Sequence, residues 1–166
     1  MLGRIARTLP AAALALAVGL FQPAATSAGD AQELAVGHGI VKLKSAYPMQ
    51  ETVARLQADI KGKGIMIFNV IDQAKLAQDA GIKLRPSTLL VFGNPPLGTQ
   101  FMTSNPLSGI DWPVRLLVVE DESANVWLVY SDFHYLARRH GIADRDAQFA
   151  MAANVVAFIA SSVGAR

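Results

Sequence analysis

Apolar positions along the chain follow two alternating periods, one typical of strands and one typical of helices. Short apolar runs of strand length occupy residues 39–44, 65–71, 88–92, 114–120 and 126–130. Helical spacing occurs over residues 48–62, 73–80, 132–140 and 144–163. Glycines follow several of the helical segments, as expected where helices end. The predicted order is β-α-β-(short α)-β-β-β-α-α.

This order predicts an α+β fold with a mostly antiparallel five-stranded sheet and helices on one face. The polar turn at residues 121–125 lies between two strand-like runs and predicts a hairpin. The first strand reaches the second through a long helix. A connection of this kind is a crossover, so one pair of strands in the sheet could be parallel.

The central strands are apolar on both faces. Leu89 and Val91 point opposite to Leu90 and Phe92, and the two following strands repeat the pattern. A sheet with one hydrated face alternates more cleanly between apolar and polar residues. The two terminal helices can cover one face, and monomers rarely expose large apolar patches. The other face is therefore expected to meet the chain's own loops, a second copy in a homodimer, or a ligand.

The segment "FGNPPLGTQFM" at residues 92–102 concentrates turn-forming residues between two apolar stretches. Thr99 is predicted to cap a helical turn whose free backbone amides could hold an anion or a carboxylate. The alternative is a rigid connector whose amides Thr99 itself caps. The candidate ligand-binding residues in this loop are Gly93, Asn94, Pro95, Gly98 and Thr99.

Three further residues are candidates for the same site. Arg115 interrupts an apolar strand, so its guanidinium should either reach the rim of the sheet or pair with Asp111 or Glu120. Asp72 is first of all a predicted helix cap, and His134 lies in a predicted helix. Both could act as acid, base or orienting groups if the loop served an enzyme.

The sequence predicts no metal and no cofactor. His134 and His140 are six residues apart, which places them about 120° from each other on a regular helix. The metalloprotease, phosphate-loop, dinucleotide and hydrolase-elbow motifs are missing from the sequence, and it contains no cysteine. A non-enzymatic module that binds a small anionic or hydrophobic ligand, or dimerises, is therefore the leading hypothesis. An enzyme with its site in the same loop and a structural or protein-interaction domain are the alternatives.

The beginning of the chain has the order of a secretory signal. Arg4 and Arg7 precede an apolar stretch at residues 9–21, and small residues follow up to residue 28. The apolar stretch is shorter than the about 20 residues that span a bilayer. Residues 1–28 are thus predicted to be a signal peptide, and the mature protein is expected to be periplasmic or secreted without a transmembrane segment.

Two segments follow the predicted leader: a flexible arm at residues 29–37 and a single α+β domain at residues 38–164. The full chain has 15 Lys and Arg against 13 Asp and Glu. Because the leader contains two arginines and no acid, the mature formal charge is zero. A neutral domain lacks the positive surface of a nucleic-acid-binding protein, so no nucleic-acid partner is expected.

The chain resembles the domain-of-unknown-function 302 family, DUF302, over about residues 45–141. The resemblance is carried by "FNVIDQAKLAQDAGIKLRPS", "LLVFGNPPLGTQFM", "DWPVRLLVVED" and "VWLVYSDFHYLARRHG". It implies a compact β-α-β4-α layout similar to that of the TATA-binding protein, with chains often paired as dimers. No catalytic residue can be carried over. The motif positions that match are Phe92, Gly93, Asn94, Pro95, Gly98, Thr99 and Pro113.

One position departs from the family pattern. Many relatives have Asp-His after the second strand, where this chain has Asp72-Gln73. A histidine that bound metal or moved protons in those relatives has no counterpart here. The departure counts against the enzyme interpretation.

Overall fold

The computed structural model describes residues 32–35 and 39–165. The predicted signal peptide lies outside these residues, and so does most of the predicted arm. The strands are β1 (Gln32–Ala35), β2 (Ile40–Lys44), β3 (Met66–Asp72), β4 (Ser87–Gly93), β5 (Val114–Glu120) and β6 (Val126–Ser131). The helices are α1 (Met49–Gly62), α2 (Gln73–Asp79), α3 (Pro95–Ser104), α4 (Phe133–Arg139) and α5 (Asp146–Ser161), with a 3-10 helix at Pro106–Asp111.

The strands form one sheet in the order β1-β2-β6-β5-β4-β3, and every neighbouring pair is antiparallel. The predicted α+β class with an antiparallel sheet is confirmed. The expectation that one pair could be parallel is wrong, because α1 carries the chain from β2 across the sheet to its far edge, where β3 pairs with β4. Within the predicted arm, Gln32–Ala35 adds β1 to the five predicted strands.

Side-chain caps fix where three helices begin. Asp72 accepts a hydrogen bond from the Lys75 N–H at α2, and Asp132 accepts one from the His134 N–H at α4. The predicted cap of α3 at Thr99 is wrong, because that helix begins four residues earlier, with Asn94 as its cap. The reason is the proline pair after Asn94: proline lacks an N–H and its fixed φ suits the first helical turn.

The hydrophobic core lies between one face of the sheet and the helices. Val41, Tyr130, Leu116 and Leu90 sit opposite one another across four neighbouring strands, and all four are buried. Helices α1, α3, α4 and α5 provide the other half of the core. Their buried side chains include Leu56, Ile60, Phe101, Phe133, Leu136, Phe149, Val156 and Ile159.

The opposite face of the sheet, called the open face below, is apolar at its centre, carries Lys42, Lys44 and Arg115 around it, and is incompletely covered. Ile71, Leu89, Leu117 and Val129 form a row across β3, β4, β5 and β6. All four side chains stay partly exposed. Two positions of β4 on this face are buried, Ser87 at one end and Gly93 at the other, and Ser87 donates a hydrogen bond to the Gln73 side chain of α2 (2.7 Å). The described part of the chain therefore leaves most of this face accessible.

The longest described helix, α5, is apolar on more than one side. Phe149 and Ile159 are buried in the core, whereas Met151 and Phe158 are exposed. Its 16 residues fall short of the about 20 that cross a bilayer. No helix among the described residues combines the length and the apolar character that a membrane crossing requires.

Candidate functional site

A groove of about 250 Å³ opens at the end of the open face, beneath the predicted loop. Its lining is almost entirely carbon. The lining residues are Phe68, Gly93, Asn94, Pro95, Gly98, Thr99, Met102, Trp112 and Pro113. The fold thus brings the five candidate residues of the loop together on one concave surface, with side chains from β3, α3 and the segment before β5.

Two glycines leave the space that forms this groove. A Cβ atom at Gly93 would lie 3.6 Å from Phe68 Cε2 and 3.7 Å from Pro113 Cβ. A Cβ atom at Gly98 would lie 3.7 Å from Trp112 Cε3. These are ordinary contact distances, so a β-carbon alone would fit. A longer side chain at Gly98 would extend towards Trp112 and fill the groove.

Trp112 forms one wall and is held by aromatic packing. Its ring is stacked on Phe101, with centroids 4.5 Å apart and planes 6° from parallel. It also meets Phe133 in a tilted contact at 5.7 Å. Because Phe101 and Phe133 are buried, the tryptophan connects the groove directly to the core.

Asn94 and Thr99 already make hydrogen bonds within the loop. Asn94 Oδ1 accepts a hydrogen bond from the Leu97 N–H, and the Gly98 N–H donates to the Asn94 carbonyl. The Thr99 hydroxyl donates to the Pro95 carbonyl (2.8 Å). Since α3 begins at Pro95, the amides of residues 100–102 lie past the first turn, where helical N–H groups have intrahelical partners. The geometry therefore favours the connector interpretation over an anion-binding turn.

Arg115 projects from the open face two residues after Pro113, but it does not line the groove. Its Nη2 donates to Asp111 Oδ1 (2.9 Å) and to the Ile110 carbonyl (3.0 Å). Of the two partners expected from the sequence, the structure thus selects Asp111. An arginine already engaged by a buried carboxylate is less available for an anionic ligand.

Asp111 is the buried centre of an ionic cluster whose two arginines are half exposed. Its Oδ2 lies 2.7 Å from His140 Nε2 and 3.4 Å from Arg139 Nη1. The side chains of Asp111 and His140 are only 7% and 8% exposed. The sequence indicates Asp111 as a partner for Arg115 but gives no signal for His140, because 29 residues separate the histidine from the aspartate and only the fold brings them together.

The other two candidates lie away from the groove. The Asp72 carboxylate is engaged as the cap of α2. His134 is exposed at the start of α4, where its N–H donates to Asp132. Neither residue lines the groove, and neither has a hydrogen bond to the loop in the described structure. The described residues also contain no group of three His, Cys, Asp or Glu side chains placed to hold a metal ion.

One carboxylate has a strongly shifted pKa. The indole N–H of Trp127 donates to Asp121 Oδ2 (2.8 Å), and this bond, assisted by hydrogen bonds from Asn125 and Ser123, lowers the Asp121 pKa to about 2. The contacts stabilise the charged form of the carboxylate. Asp121 occupies the β5–β6 turn, so the shift reflects turn structure rather than a reactive site.

Comparison with known proteins supports the family resemblance. Residues 41–160 match the model of the family described as "Domain of unknown function DUF302". The crystal structure of an uncharacterized conserved DUF302 protein from Bacillus stearothermophilus superimposes with a TM-score of 0.69. The match covers 76% of this chain and 98% of that chain, at 17% sequence identity. At that identity the similarity shows a shared fold.

The chain is also similar to part of two proteins named as fluoride-specific ion channels. The chain is 37% identical over 107 residues to "Fluoride-specific ion channel FluC 1" of Brucella suis biovar 1 (strain 1330). It is equally similar to "Fluoride-specific ion channel FluC 2" of Brucella melitensis biotype 1 (strain ATCC 23456 / CCUG 17765 / NCTC 10094 / 16M). Each match covers 64% of this chain but only 42% and 40%, respectively, of the relative. The chain therefore spans less than half the length of these proteins.

Proposed function

The chain belongs to the DUF302 family, a domain of unknown function, and we propose that it is a non-enzymatic module that binds a small, uncharged, apolar ligand in the groove beside Trp112. The carbon-rich lining of this concave site carries the proposal. Ligand sites are typically concave and apolar, with few polar groups. The satisfied hydrogen bonds of Asn94 and Thr99 favour a hydrophobic ligand over an anionic one.

The volume of the groove limits the size of the ligand. A buried apolar cavity of about 150 Å³ accommodates benzene. At about 250 Å³ the groove can hold a substituted aromatic ring or a short branched chain. Because one side is open, a ligand would bury only part of its surface, and each Å² removed from water contributes about 25 cal/mol. Modest affinity is expected for such a ligand.

The chemistry of the lining favours binding over catalysis. None of its residues has a side chain that titrates near neutral pH. General acid–base catalysis needs such a group within hydrogen-bond reach of the reacting atom. Asp72 and His134, which the sequence suggested for that role, are engaged or exposed elsewhere.

Bromobenzene provides a direct test, since the heavy atom quenches indole fluorescence on contact. The chain has two tryptophans, so Trp127→Phe leaves Trp112 as the sole reporter. We expect saturable quenching of Trp112 by bromobenzene. Non-saturable quenching, equal to that of free tryptophan, would contradict binding in the groove.

Two glycine substitutions test whether bromobenzene binds in the groove. Gly98→Leu should fill the groove and remove the saturable quenching, because its side chain would extend towards Trp112. Gly62→Leu is the matched control, since that position is exposed at the end of α1 and a Cβ atom there would meet nothing within 4 Å. Equal loss in both variants would argue against the assigned site.

A second candidate role is homodimerisation through the open face. The row formed by Ile71, Leu89, Leu117 and Val129 is apolar and accessible. The four strands that carry this row, β3 to β6, have six or seven residues each and give a flat footprint of about 19 Å by 23 Å. Side-chain relief raises the accessible area above this footprint, towards the about 800 Å² per partner of a standard interface. The partner that we propose for this apolar row is the same row of a second copy of the chain.

The location of the protein is also a proposal. Residues 1–28 have the pattern of a signal peptide, which supports export to the periplasm or the outside of the cell. N-terminal sequencing of protein from its native host should then begin near Gly29. Recovery of the intact Met1 terminus in the cytoplasmic fraction would reject export.

The names of the curated relatives raise the question of which part of those proteins forms the channel. We propose that their channel activity belongs to the part that this chain does not match, which supports a role for the present domain outside the pore. The lack of a membrane-spanning helix in the described residues is consistent with this view. Liposomes mixed with the purified protein should hold a fluoride gradient as long as empty liposomes do, and rapid fluoride release would refute the proposal.

A further inference from the structure

The wall of the groove is the end of a short structural segment that is fastened at both ends. Trp112 and Pro113 directly follow the 3-10 helix Pro106–Asp111. At the start of that helix, Asn105 Nδ2 donates to the His140 backbone carbonyl (2.8 Å). At its end, Asp111 Oδ2 lies 2.7 Å from His140 Nε2. A single residue therefore contacts both ends of the segment that precedes Trp112.

His140 is itself held firmly. It is the C-cap residue of α4, and its N–H donates to the Leu136 carbonyl (3.1 Å), while Leu136 is buried in the core. The side chains of His140 and Asp111 are both less than a tenth exposed. Hydrogen bonds that involve a buried charged group are short and strong, since water competes poorly for them. The two contacts of His140 thus tie the 3-10 helix to a fixed part of the fold.

We propose that His140 is a positioning residue for the groove: it acts through Asp111 and Asn105 to set where the Trp112 wall stands. This inference rests on the binding role proposed above. Aromatic packing fixes the ring of Trp112 on its core side, and the His140 contacts fix the backbone that leads into it. Loss of these contacts would let the wall shift and would change the width of the groove.

Substitution of His140 should leave the fold intact. Asp111 would keep Arg115 at 2.9 Å and Arg139 at 3.4 Å, so its buried carboxylate would not be left without a counter-charge. His140→Leu removes the side-chain contact. His140→Gln is the conservative variant, because its amide can still donate to Asp111.

The experiment measures bromobenzene binding in the Trp127→Phe background. We expect His140→Leu to raise Kd about tenfold, equivalent to about 1.4 kcal/mol, and to make Trp112 more accessible to acrylamide. His140→Gln should restore both values towards those of the parent. Arg138→Leu, at an exposed position of α4, is the control and should change neither.

The outcomes separate this inference from the proposed function. If the parent binds bromobenzene and His140→Leu binds it equally well, with only a lower melting temperature, His140 is merely structural and the inference is wrong. If the Trp127→Phe protein with His140 intact does not bind bromobenzene, the proposed function is wrong, and so is the inference that rests on it. If His140→Leu does not fold, Asn105→Asp decides, since it keeps the acceptor for the Leu107 N–H but loses the donor to His140. An unchanged Kd in Asn105→Asp would then overturn the inference.

Discussion

The Trp112 indole lies parallel to the Phe101 ring, with planes 6° apart and centroids separated by 4.5 Å. Phe101 is fully buried and also meets Phe149 of α5 at 4.3 Å. The same tryptophan lines the groove. The candidate site and the core of the domain are therefore two sides of one aromatic cluster.

This coupling predicts the effect of Phe101→Ala. Removal of a buried phenylalanine side chain costs about 3–5 kcal/mol of unfolding free energy. Because Trp112 would lose the ring on which it stacks, its emission should also shift to longer wavelength. Urea unfolding and emission spectra measure the two effects.

Phe158→Ala is the control for that prediction, since Phe158 is 64% exposed on α5. It should cost far less stability and leave the Trp112 emission unchanged. If both variants lost the same unfolding free energy, the Phe101–Trp112 stack would contribute no more to stability than an exposed side chain does.

Gly39→Ala should be strongly destabilising for two reasons. Gly39 has φ of +68°, and a Cβ atom there would lie 2.3 Å from Tyr135 Cδ1. The left-handed backbone costs about 1–2 kcal/mol for a non-glycine residue, and the clash with the tyrosine adds overpacking of about 1–3 kcal/mol. Thermal and urea unfolding measure the sum.

Gly141→Ala isolates the backbone contribution. Its φ is +61°, but a Cβ atom there would meet nothing within 4 Å. It should therefore show the conformational cost alone. If Gly39→Ala proves no worse than Gly141→Ala, the close contact with Tyr135 is not rigid.

Asp121 should make the free energy of unfolding depend on pH in the acid range. Its pKa is about 2 in the folded protein, below the ordinary value of 3.8. The folded state therefore binds this proton less readily than the unfolded chain. The contribution of the carboxylate is present above pH 4 or so and is lost as the pH falls from about 4 towards about 2.

Asp121→Asn should flatten this part of the pH profile and lower stability at neutral pH. The indole of Trp127, which donates to Asp121, provides a local fluorescence signal. Asp79→Asn is the control, because Asp79 is an exposed carboxylate paired only with Lys75 on α2 among the described residues. If the stability of Asp121→Asn fell as steeply as that of the wild type over the same acid range, the assignment would be refuted.

If the protein dimerises through the open face, a charged residue at the centre of that face should disrupt the dimer. Leu117 lies between Leu89 and Val129 in the accessible row. Leu117→Lys should leave the fold intact, because the side chain can extend into solvent, but it should shift the protein to monomer in analytical ultracentrifugation. Lys75→Glu, on the exposed side of α2, should leave the dimer unchanged. A wild type that is monomeric at high micromolar concentration would dismiss the interface.

The sequence by itself determined most of the elements and the class of the fold. The period of apolar residues identifies β5 at residues 114–120 and places α1, α2 and α4 within a residue or two of their observed bounds. These features depend on neighbouring residues, which the sequence displays directly. The loop at residues 93–99 was likewise visible as a cluster of turn-forming residues, so five residues of the groove could be named in advance.

Only the tertiary structure decided what that loop faces. Phe68, Met102 and Trp112 come from three separate elements, and no local pattern indicates that they line one groove with Gly98. The contact between Asp111 and His140 spans 29 residues, and the Asn94 cap that starts α3 removes the free amides that an anion would need. Antiparallel pairing throughout follows from α1 crossing to the far edge of the sheet. Periodicity reports which side of an element is apolar, whereas the packing of all elements together determines which apolar sides meet and which remain open.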